Sequence, residues 1–101
     1  MNDLEVRLPH GLSSEEMRVR LDRAVVVARE QYSETVGPIE AEWADEVMTV
    51  RFSTMGMSFN GQVESLPSEL VVRVQLPMMA SLFAARIREG IQERLGRLIA
   101  S

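Results

Sequence analysis

Between Ile39 and Leu76 apolar and polar residues alternate almost without a break, interrupted only by short turns. A period of two sends successive side chains to opposite faces of a strand, so this stretch must form a sheet with one dry face and one wet face. Ile39, Ala41 and Trp43 alternate with Glu40 and Glu42, and Ala44-Asp45-Glu46 makes the first turn. Met48, Val50 and Phe52 then alternate with Thr49, Arg51 and Ser53. After Thr54-Met55-Gly56, the residues Met57, Phe59, Gly61 and Val63 alternate with Ser58, Asn60, Gln62 and Glu64. Leu66-Pro67-Ser68-Glu69 turns again, and Leu70, Val72, Val74 and Leu76 alternate with Val71, Arg73 and Gln75. Short strands joined by short turns predict an antiparallel meander.

The flanks supply the cover. Leu4-Glu5-Val6-Arg7-Leu8 predicts one more half-wet strand, ended by Pro9-His10-Gly11. Ser13-Ser14-Glu15-Glu16 is a capping box, with the Ser13 hydroxyl accepting from the amide three residues on and Glu16 reaching back. The helix it opens runs to about Ser33 with Met17, Leu21, Ala24, Val25, Ala28 and Tyr32 on one stripe, and Gly37-Pro38 closes the segment. A second helix is predicted from Pro77 nearly to Ser101, its stripe formed by Phe83, Ile87, Ile91, Leu95 and Leu98. The order is β-α-β-β-β-β-α. The expected fold is α+β: a two-layer sandwich in which a mainly antiparallel five-stranded sheet carries two long helices on one face. Val6, Trp43, Phe52, Phe59 and Val74 are expected to be deeply buried.

At 101 residues the chain is expected to be one domain, long enough to bury roughly two-thirds of its unfolded surface. It has no Cys, no Lys and a single His, His10, beside eleven Arg and fifteen carboxylates. Thiolate nucleophiles, Schiff-base chemistry, thiolate metal sites and His-paired zinc sites all drop out of consideration. A net charge of −4 argues against a nucleic-acid partner, since binding phosphates needs a basic surface. The longest nearly apolar stretch, Leu76 to Ala85, is about half of what a bilayer requires, and no signal peptide is visible at Met1-Asn2-Asp3-Leu4-Glu5. A soluble, cytoplasmic protein is the expectation.

Several residues together carry a family resemblance: His10-x-Leu12 before a capped helix, Trp43 followed by an acidic turn and Val47-x-x-Val50-x-Phe52, and Gly61 in the next strand. A strand ending at Leu76 then leads into a long amphipathic C-terminal helix. In these the chain resembles the polyhydroxyalkanoic acid (PHA) system proteins over nearly its whole length. The resemblance implies a bacterial cytoplasmic protein tied to the formation, surface or regulation of polyester storage granules. It carries over no catalytic residue, and Leu76-Pro77 stands where Leu-Gly is expected.

The chemistry-bearing residues read blandly. His10 lacks an oriented carboxylate or nucleophile at a recognisable spacing, and reads as a loop residue that packs or caps near the first helix without an evident buried partner. Glu40, Glu42, Asp45 and Glu46 crowd one hairpin, but alternation puts Glu40 and Glu42 on the wet face and no calcium-loop spacing is present. No catalytic, cofactor or metal residue is assigned. Trp43 and Phe52 read as filled core, with a ligand cavity beneath the helices as the alternative.

What core demand leaves over is a set of apolar residues off the helix stripes: Met78, Met79 and Leu82 on the second helix, Val19 and Val26 on the first. Methionine-rich patches adapt to irregular apolar surfaces, so these five are the candidate contact surface for a protein partner, a second copy or a granule. The expected function is that of a non-enzymatic accessory protein of the PHA granule system that works by docking. The alternative is a small carrier or sensor holding a hydrophobic ligand between helices and sheet.

Overall fold

The computed structural model describes residues 2–32, 34 and 36–100. Strand β1 (Asn2–Pro9) leads into helix α1 (Ser14–Tyr32), and four strands follow: β2 (Glu40–Ala44), β3 (Val47–Thr54), β4 (Met57–Ser65) and β5 (Glu69–Leu76). A 3-10 helix (Met78–Phe83) then runs directly into α2 (Ala84–Ala100). The sheet is open and antiparallel throughout, ordered β1-β5-β4-β3-β2, so the first strand closes against the last.

Register makes the alternation concrete. On the dry face, Trp43, Met48, Val63, Val72 and Val6 lie across from one another in one row, and Ala41, Val50, Gly61, Val74 and Leu4 form the next. Phe52 and Phe59 face each other in a third row, their rings stacked with centroids 5.1 Å apart. Helix α1 starts where the sequence places it, the Ser13 hydroxyl accepting from the Glu16 amide at 3.1 Å. The returning leg of the capping box is replaced by an ion pair, since the Glu16 carboxylate takes Arg20 instead at 2.8 Å.

The core gathers at one end of the sheet. Met17 and Leu21 of α1 are fully buried against Val6, Met48, Val63, Leu70 and Val72, with Leu4, Leu76 and Ala80 completing the cluster. Burial does not extend evenly from there. Val6 is buried as expected, but Trp43, Phe52, Phe59 and Val74 are only half-buried, and α2 contains no buried residue. For Phe52, Phe59 and Val74 the reason is that α2 lies across its part of the sheet without closing down on it, whereas Trp43 sits on the other flank against Arg18 and Asp22 of α1.

The start of the last helix also differs from expectation. Residues 78–83 wind as a 3-10 helix with three residues per turn, and Pro77 stands before it in an extended conformation. The α-helical stripe extrapolated back from Ile87 therefore loses phase, and Phe83 points into solvent instead of the core.

One wet-face residue breaks the pattern. Val71 is fully buried, although it faces away from the helices. Arg7 and Glu64 stand opposite it on the neighbouring strands, and Glu69 and Arg73 flank it along β5. Ion pairs Arg7–Glu69 at 2.6 Å and Arg73–Glu64 at 3.3 Å join these side chains, and their aliphatic stems cover the valine. Glu69 first and Glu5 second hold the Arg7 guanidinium still further in its charged form.

Candidate apolar binding site

A half-roofed apolar cleft occupies the space that α2 leaves above the sheet. Its floor is made by Val50, Phe52, Phe59 and Val74 around Gly61, and its roof by Ile87, Ile91 and Leu95 of α2. The volume is about 400 Å³, and apart from Thr54 and Gln62 the residues that line it are apolar. A second lobe of about 260 Å³ extends beneath α1 past Ala24 and Ala28 toward Tyr32. The two lobes adjoin, and Val50, Phe52, Val63 and Leu95 line both.

Arginines set the frame around this opening. Arg20 of α1 donates to the carbonyls of Leu98 and Ile99 at 2.8 and 3.2 Å, satisfying the end of α2 where the helix leaves acceptors without partners. Arg88 donates to the Glu5 carbonyl at 2.7 Å and ties the N-terminal part of α2 to β1. Arg94 lies over the Tyr32 ring and bonds its hydroxyl, linking the two helices beside the α1 lobe. On the other flank the Trp43 indole donates to Asp22 at 2.8 Å with Arg18 stacked 4.4 Å above its ring, and Arg29 grips the Ile39 carbonyl at 2.9 Å. A planar guanidinium holds five donors in a rigid fork, whereas an ammonium has three on a flexible stem.

The five candidate contact residues are all exposed, but they sit on separate elements. Met78, Met79 and Leu82 project from the 3-10 helix with 82, 74 and 85% of their surface free. Val19 and Val26 stand on the outer side of α1 at 51 and 50%. Phe83, which the periodicity assigned to the core, joins the first group at 57%. Pro77 was the available signal, because a proline-led helix start favours a tight turn that shifts the phase of the residues after it.

His10 has partners that its local sequence does not reveal. The Leu12 amide donates to Nδ1 at 3.1 Å, so the ring proton sits on Nε2 and is donated to the Leu66 carbonyl at 2.8 Å. The ring pins the entrance of α1 to the β4–β5 turn. In the acidic hairpin, Arg51 lies between Glu40 and Glu42 at 3.6 and 3.8 Å. Among the described residues no three His, Asp or Glu side chains converge as metal ligands would, and no helix is long and apolar enough to cross a membrane.

Fold and site together define a helix-over-sheet α+β protein with an accessible apolar interior and an apolar outer knuckle. The chain belongs to the family described as "Putative polyhydroxyalkanoic acid system protein", whose model matches residues 4–99. No curated protein shows significant similarity to it. Among solved structures it is similar to TTHA0849 from Thermus thermophilus, at 12% identity and a TM-score of 0.45, over 97% of this chain and 92% of that one.

Proposed function

We propose that the protein is a non-enzymatic accessory protein of the PHA storage system that docks, through its apolar outer surface, on a partner protein or on the granule boundary in the cytoplasm. The observation that carries this reading is the 3-10 helix, where Met78, Met79, Leu82 and Phe83 stand exposed within six residues. Apolar side chains gathered this closely mark contact surfaces more often than scattered ones do. Burial of such chains favours association by about 25 cal/mol per Å².

Replacing Met78, Met79 and Leu82 together with Ser tests the reading. The expected variant folds normally and loses granule co-sedimentation, while its sedimentation coefficient reports any loss of self-association. Val19→Glu and Val26→Glu probe the far side of α1 independently. Unchanged association in all of these variants overturns docking through these residues.

The cleft favours a second reading, carriage or sensing of a hydrophobic ligand. Cavities of this size and apolarity are where small molecules bind.

A further inference from the structure

We infer that the cleft beneath α2 binds an unbranched, uncharged hydrocarbon chain such as the tail of an acyl compound, and that Gly61 is the residue that keeps its floor open. The inference deepens the carrier reading and rests on it.

Gly61 lies in the interior of β4, on the dry face, between Val50 of β3 and Val74 of β5. Glycine weakens a strand interior, so its presence there calls for a cause in the backbone or in the space around it. The backbone supplies none. Among the described residues positive φ angles fall at Asp45, Met55 and Gly56, and a Cβ placed on Gly61 would meet its nearest neighbours, the Arg73 carbonyl and a Val74 methyl, at the ordinary distances of 3.5 and 3.7 Å. What the glycine provides is room. It leaves a gap in the floor where every neighbour in the row has a side chain, directly within the 400 Å³ lobe. Ala24 and Ala28 do the same for the lobe beneath α1, where larger residues would fill the space.

The shape and chemistry of the space select the occupant. The lobe beneath α2, about 400 Å³ with the second lobe adjoining it, has room for a flexible chain. Apart from Thr54 and Gln62 the wall is aliphatic and aromatic, so a charged or hydroxylated group drawn inside would lose most of its hydration without replacement. The polar end of the ligand therefore stays outside in water, and only hydrocarbon enters. Such a chain reaches the cleft either as a free acyl compound or as part of a lipid.

The test uses the full chain and displacement of a fluorescent fatty-acid analogue by decanoate, with sedimentation on phosphatidylcholine vesicles as a parallel arm. The unmodified protein is expected to bind one analogue, displaced by decanoate. Gly61→Leu, which fills the gap, should weaken binding at least tenfold with the circular dichroism unchanged, and Gly61→Ala should fall between the two. The triple Met78, Met79 and Leu82 variant should bind like the unmodified protein. Displacement by decanoate without vesicle binding assigns the free acyl source, whereas vesicle binding that Gly61→Leu abolishes assigns the lipid source. Should Gly61→Leu fail to fold, the Gly61→Ala measurement decides. Equal affinity across the Gly61 variants overturns the inference and leaves the carrier reading standing. No binding of the analogue or of vesicles by the unmodified protein overturns both.

Discussion

The two ends of the dry face follow the same sequence pattern and pack differently. At one end Met17 and Leu21 of α1 close fully on Val6, Met48, Val63 and Val72. Two to four residues further along the strands, Val50, Phe52, Phe59 and Val74 lie beneath Ile87, Ile91 and Leu95, and every one of them is only half-buried. Both ends alternate perfectly. Alternation decides which face a residue takes, but the distance at which a helix settles over that face decides whether it is buried. The closed end holds the buried core, and the open end keeps apolar surface accessible.

Leu21→Ala should separate the two ends most sharply. Removing a fully buried leucine at the closed end is expected to cost about 3 kcal/mol. Phe52→Ala removes a larger side chain at the open end, yet should cost only about 2 kcal/mol, because much of that ring already faces a cavity. Urea denaturation of both variants gives the ranking, and a greater loss for Phe52→Ala would mean that the cleft is closed in solution. His10→Ala comes next. With two main-chain groups losing their partner between the loop and the β4–β5 turn, the expected loss is about 1–2 kcal/mol in the same measurement. The smallest effect belongs to Ser65, whose hydroxyl lies buried at the closed end without a hydrogen-bond partner. Ser65→Ala should raise stability by up to about 1 kcal/mol, and a loss of that size would show the hydroxyl to be satisfied.

Much of this fold was legible from residues alone. The turn at Ala44-Asp45-Glu46, the Ser13 cap and the outward positions of Glu40, Glu42, Arg51 and Arg73 all follow from local patterns, because a strand period or a cap is set within a few residues. What escaped was set over distance. Leu66, which accepts from His10, lies 56 residues away along the chain. Val71 is buried by four charged side chains drawn from three strands, an arrangement invisible along any one of them. The exposure of Met78, Met79, Leu82, Val19 and Val26 was legible because a position off a helix stripe is local, whereas Phe83 was misplaced by a change of helical period after Pro77. Gly61 was visible as a letter in a strand, but the gap it leaves depends on α2 standing clear overhead.

The bond from Arg88 to the Glu5 carbonyl has a further consequence. β1 is an outermost strand of an open sheet, and an outermost strand offers unpaired main-chain groups to any other extended chain that comes near. A guanidinium planted on one of those acceptors, between the charged side chains of Asp3 and Arg7, makes that border a poor template for strand addition. The opposite border is β2, only five residues long and ended by an acidic turn. A protein that keeps so much apolar surface accessible is thereby guarded along both margins of its sheet against growing into an aggregate.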